Sequence, residues 1–190
     1  MKLLVMLPHG NTAAFLEQRR KALAEKNGNK IFTFSPLYCP LAVAPDKEYT
    51  ASEAKTILTG LRDAVTKEAK RSDCFVDGTY CIGFGNFTAF FCTVTIPFFE
   101  DIRTFCAKAR FEPIESLASG FCVGFSSPCA AYCETSFEPH RMTVFQFALI
   151  DFAPEAPFLR ETAFNAEAVE PFSFKWKLIN SVWKAKQKEV

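Results

Sequence analysis

Ser35–Ala42 reads S-P-L-Y-C-P-L-A. Two prolines, Pro36 and Pro40, bracket Leu37, Tyr38 and Cys39. Proline cannot donate to a strand ladder, so a strand through this stretch is broken or bulged at its prolines. The stretch closes the longer run K-I-F-T-F-S-P-L-Y-C-P-L-A-V-A-P, residues 30–45, which reads as one or two strands. Before it, K-L-L-V-M-L (2–7) is a continuous apolar run of strand length. Asn11 is placed to cap a helix over 12–26, whose Phe15, Leu16 and Leu23 share a side and which Gly28 stops.

Downstream, Thr50 and Glu53 have the spacing of a capping box. The helix it starts carries Ala54, Ile57, Leu58, Leu61 and Val65 at helical spacing. C-F-V-D-G-T-Y-C-I-G-F-G (74–85) and T-A-F-F-C-T-V-T-I (88–96) form a hairpin that turns at Asn86. Pro97 opens a third helix, with Phe98, Ile102, Phe105 and Ala109 on one face. G-F-C-V-G-F-S (120–126) is a strand, C-A-A-Y-C-E (129–134) a short helix, and H-R-M-T-V-F-Q-F-A-L-I-D-F (140–152) one long strand. A proline-bearing excursion over 153–171 precedes F-S-F-K-W-K-L-I-N-S-V-W-K (172–184), whose alternation marks a half-buried strand. The element order is that of an α+β fold with mainly antiparallel sheet, in one domain spanning 1–190 with no linker.

Composition sets bounds on function. Of 190 residues, 49% are hydrophobic and 23% charged, which specifies a globular chain. The 22 phenylalanines imply a core packed with rings. A net charge of +1 gives no field that recruits DNA or a membrane surface. Arg19, Arg20 and Lys21 read as a solvated helix face. No segment approaches about 18 uninterrupted apolar residues, so no membrane span is expected, and the apolar run at the N-terminus is too short for a signal segment. Of the eight cysteines, six follow an aromatic residue directly. Buried free cysteine behaves as a small hydrophobe, so reduced thiols in a cytoplasmic protein are expected.

The order of elements resembles that of the two-histidine (2H) phosphoesterases, the family of bacterial 2′-5′ RNA ligases and cyclic phosphodiesterases. The opening strand ends V-M-L-P (5–8), as in that family, and a helix and a motif strand follow. A helix, a hairpin, a further helix and a second motif strand come next, and late strands finish the chain. The resemblance implies two pseudo-symmetric lobes of mainly antiparallel sheet, with flanking helices, around a central cleft. It also implies two His-x-Thr/Ser motifs, one imidazole acting as general base and the other as general acid on a phosphodiester. Imidazole suits that shuttle because its pKa lies near neutrality.

The motifs themselves are missing. The chain has two histidines, His9 and His140, and neither has Ser or Thr two places on. In the first motif's place stands P-L-Y-C-P-L, with Leu37 or Cys39 in the histidine position. For the second motif three stretches compete. F-C-V-G-F (121–125) puts Cys122 in the histidine position and Gly124 in the hydroxyl position; F-E-P-I-E-S-L-A (111–118) offers Ile114 and Ser116; F-E-P-H-R-M-T-V (137–144) retains His140. At least one histidine is absent under every alignment, so the family's mechanism is not expected to run. The candidate catalytic groups are then His140, Cys39 and Cys122, and the candidate ligand contacts are Leu37, Tyr38, Cys39, Phe121, Cys122 and Gly124. The resemblance implies a nucleotide, a phosphorylated small molecule or an RNA end as ligand. No cofactor and no metal is expected; Cys129 and Cys133 read as successive turns of an apolar helix face rather than zinc ligands. An enzyme working through His140 or a thiol, and a purely structural or interaction protein, stand as alternatives. Phe87, Phe90 and Phe91 read as core rather than as a base-stacking platform.

Overall fold

A computed structural model describes residues 2–27, 31–32, 37–69, 71–84, 87–114, 120–126, 138–142, 145–154 and 174–183. In chain order these form β1 (Lys2–Pro8), α1 (Asn11–Asn27), β2 (Ile31–Phe32), β3 (Cys39–Ala44), α2 (Ala51–Ala69), β4 (Cys74–Phe84), β5 (Phe87–Thr95), α3 (Phe99–Lys108), β6 (Glu112–Pro113), β7 (Gly120–Ser126), β8 (His140–Met142), β9 (Phe145–Pro154) and β10 (Phe174–Trp183). The fold is α+β. Its strands make two five-stranded sheets, β10-β9-β1-β3-β6 and β2-β7-β5-β4-β8, with every pairing antiparallel.

The chain crosses between the sheets. β3 lies in the first sheet, and after α2 the hairpin β4–β5 lies in the second. β7 lies in the second sheet, and the later hairpin β9–β10 lies in the first.

The run 30–45, expected as one or two strands, gives β2 in the second sheet and β3 in the first. The long strand expected over 140–152 splits into β8 in the second sheet and β9 in the first, which corrects the single-strand reading. Apolar alternation marks extended backbone but not the sheet that each part joins. The turn at Asn86, the stop at Gly28, the helix over 129–134 and most of 153–171 lie outside the described residues.

The helices show why their boundaries fall where they do. Gly10, at φ 58°, accepts the first helical hydrogen bond from Ala14 N at 3.2 Å, so it takes the cap position assigned to Asn11. A left-handed backbone there suits glycine. The Thr50–Glu53 capping box closes as expected: Glu53 N donates to Thr50 Oγ1 at 3.2 Å, and Thr50 N donates to Glu53 Oε2 at 2.9 Å. α3 begins at Phe99 behind Phe98, which makes no side-chain cap but buries its ring. Ala54, Leu58, Leu61, Val65 and Ala69 bury one stripe of α2, which packs on β9, β10 and α3. α1 packs on β2, β7 and β8 of the second sheet.

One core joins both sheets. From β1 it takes Leu4 and Met6, from β3 Cys39 and Ala42, and from the second sheet Val76, Phe90, Cys92, Phe121 and Val123. The opposite face of the first sheet carries a smaller cluster of Leu3, Val5, Ala148 and Ile150, on which Tyr38 packs.

Candidate functional site

The strands that carry the sequence candidates meet. β3 and β7 belong to different sheets and are in contact. The backbone N–H of Gly120, at the start of β7, donates to the thiol sulfur of Cys39, at the start of β3. Tyr38 and Tyr80 both lie within electrostatic reach of Cys122, and Tyr80 also of Cys39. The structure therefore gathers Tyr38, Cys39, Tyr80, Gly120 and Cys122 about one joint between the sheets.

Alternation decides which side chain faces which way. Leu37 and Cys39 enter the shared core, whereas Tyr38 packs against the smaller cluster. Phe121 and Val123 are core residues, and Cys122 lies on the other face, paired with Phe91 and half-buried. Tyr80 pairs with Phe91 and stacks flat on it, ring centroids 4.9 Å apart and 7° from parallel. Phe90 at 2% and Phe91 at 4% exposure are packing residues, which excludes an open stacking platform at those two positions. Phe87's side chain lies outside the description.

Two β-bulges shape this face. In β4 the register shifts between Val76 and Gly78, and Asp77 swings out to accept hydrogen bonds from Thr93 Oγ1 at 2.9 Å and from Thr95 Oγ1. In β7 the shift falls at Val123, and its carbonyl accepts Arg20 Nε at 3.2 Å. Arg20 also pairs with Glu17 at 3.0 Å. It is 9% exposed, so it leaves the solvated cationic face predicted for Arg19, Arg20 and Lys21. Its guanidinium is the cation that Cys122 feels.

Both thiols have their proton affinity raised by burial. Burial pushes Cys39 up to about 12 against the opposing hydrogen bond from Gly120. Burial pushes Cys122 to about 12 as well, although the Gly124 backbone and Arg20 pull it down. Burial thus disfavours the thiolate, the reactive form, at both positions. Burial likewise raises Tyr80 to about 12 and Tyr38 further, so both phenols are neutral.

His140 stands elsewhere. It is paired with Val76 on β8, which lies three strands from β7. At the usual strand spacing that is about 14 Å across the sheet. It also shares the face of Met142 and Val76, which is opposite the face of Cys122. No Cys122–His140 dyad can form from this placement. His9 follows β1 and is exposed. Ile114 packs on the smaller cluster of the first sheet, and Gly124 is buried in β7. Ser116, Cys129 and Cys133 lie outside the described residues, within which no group of three metal-ligating side chains occurs. The described cysteines, Cys39, Cys74, Cys81, Cys92, Cys106 and Cys122, are all free thiols.

Sequence reading missed Tyr80, Asp77 and Arg20. The V-D-G step at 76–78 carries a signal, because an acid before a glycine inside a strand marks a bulge. Arg20 carries none, since nothing local distinguishes it from Arg19. Among the described residues no helix is long and apolar enough to cross a membrane. The chain matches no family model, no curated protein and no solved structure.

Proposed function

We propose that this protein is a catalytically silent relative of the two-histidine phosphoesterases, which uses the joint between its sheets to bind a nucleotide or an RNA end without turning it over. The observation that supports this is the meeting of β3 and β7, the two strands whose sequence positions correspond to the motif strands, with thiols where imidazoles would stand. Thiols held near 12 neither accept nor release protons at neutral pH, so the acid–base pair has no substitute there. Arg20 supplies positive charge beside Cys122 that a phosphate would need, and Asp77 with Thr93 and Thr95 supplies acceptors and hydroxyls for a sugar.

The test is incubation with nucleoside 2′,3′-cyclic phosphates, following product by chromatography and binding by chemical-shift changes. The expected result is no product, with shifts at Tyr80 and Cys122. Hydrolysis that disappears in His140→Ala or after thiol alkylation would replace this reading with that of an active enzyme.

A second reading is that of an interaction protein with no small ligand. The complete burial of Cys39 and Phe121 favours it, because those positions are packed as core. Absence of nucleotide shifts together with a concentration-dependent mass in solution would select it.

A further inference from the structure

β8 is the three-residue edge strand of the second sheet, held to β4 through Cys74↔Met142, Phe75↔Arg141 and Val76↔His140. It also packs on α1, where His140 lies flat on Phe15 with centroids 4.3 Å apart and planes 5° from parallel. Val76 beside the imidazole and Met142 two residues on are buried and apolar. The Nε2 atom is buried and has no hydrogen-bond partner among the described residues. A neutral ring tolerates that arrangement at modest cost, whereas an imidazolium must bury a charged donor without an acceptor.

The charged groups on the packed elements do not offer that acceptor. On α1, Glu17 is paired with Arg20, and Arg19 stands one turn beyond Phe15 as a second cation. On β4, Asp77 is turned to Thr93 and Thr95. Asp73 is engaged by Arg141 at 2.9 Å, and Glu138, ahead of β8, is exposed. Burial alone acts on the proton affinity of His140, and it lowers it.

We propose that His140 is a proton-operated latch: protonation of its ring frees β8 and the first turns of α1 from the second sheet and uncovers the β4 edge at Cys74–Val76. This latch is independent of the phosphoesterase reading. The sign follows from linkage. The folded-state affinity lies below the ordinary value of 6.5, so the latch is closed above that pH and opens as pH falls through and below it. An uncovered strand edge presents unpaired N–H and C=O groups to any extended segment.

Hydrogen exchange on the full chain tests the latch, with protection corrected for the intrinsic rate at each pH. Between about pH 7.5 and pH 5, amides of β8 and of the first half of α1 should lose several-fold more protection than those of β1 and β9. In His140→Phe, which retains a ring on Phe15, that excess loss should vanish. Equal losses in the two proteins, or undiminished protection of β8, would overturn the proposal. Should His140→Phe fail to fold, the wild-type imidazole is titrated by NMR. The latch requires a midpoint below 6.5 accompanied by shifts of the Phe15 ring, and a midpoint at or above 6.5 refutes it.

Discussion

Gly120→Ala tests the joint between the sheets by filling it. A Cβ at residue 120 would stand 2.9 Å from the Cys92 carbonyl oxygen, 3.1 Å from Tyr80 Cε1 and 3.2 Å from Phe91 Cβ. The first contact is with backbone of the central strand β5, which cannot swing aside as a side-chain tip can. Overpacking of this kind costs about 1–3 kcal/mol. Any displacement of β7 also pulls the Gly120 N–H away from Cys39, so we place the loss near the top of that range. Gly10→Ala is the control. Its φ of 58° strains an alanine, but nothing lies within 4 Å of the added atom. The left-handed backbone alone costs about 1–2 kcal/mol. Urea unfolding followed by circular dichroism should therefore give Gly120→Ala a midpoint lower than that of Gly10→Ala by about 0.5–1 M, for a slope near 2 kcal/mol/M. Equal midpoints, or a more stable Gly120→Ala, would mean that the close approach of β7, Tyr80 and β5 does not exist in solution.

Brief alkylation of the native protein should label Cys81, the exposed thiol among those described, and spare Cys39, Cys106 and Cys122 until urea is added; mass spectrometry of the peptides reads the order. Arg20→Met should lower stability by about 1–3 kcal/mol in thermal or urea unfolding, because the Val123 carbonyl at the bulge loses its donor while buried. Thr50→Ala should cost about 1 kcal/mol through loss of the helix cap. Glu53 is held below its ordinary value of 4.5 by hydrogen bonds from the Thr50 backbone and hydroxyl and by the nearby Lys47. Its contribution should be complete above that value and fade as pH falls below it, a dependence absent in Glu53→Gln.

The antiparallel α+β class, the three helices of the described residues and the β4–β5 hairpin were legible because each rests on a local signal. The Thr50–Glu53 box is one such signal, and the apolar stripe of α2 is another. The division of 140–152 was not legible. His140 and Phe147 are both apolar-facing positions of extended chain, and only pairing with β4 in one case and β1 in the other separates them. The positions of Leu37, Tyr38, Cys39, Phe121 and Cys122 on two strands could be read from the sequence, and their meeting could only be inferred through resemblance. What the meeting does chemically was not readable at all. The proton affinity of Cys39 depends on burial in a core that also takes Leu4, Met6 and Phe90, all distant in sequence, and the buried role of Arg20 depends on a bulge at Val123.

The most direct measurement on the joint is a nuclear Overhauser experiment on isotopically labelled protein. A cross-peak between the Cys39 side chain and the Gly120 amide, together with contacts from the Tyr80 ring to Gly120, is the expected result. Well-resolved Cys39 and Gly120 signals without that cross-peak would contradict the meeting of β3 and β7, and with it the proposed binding joint.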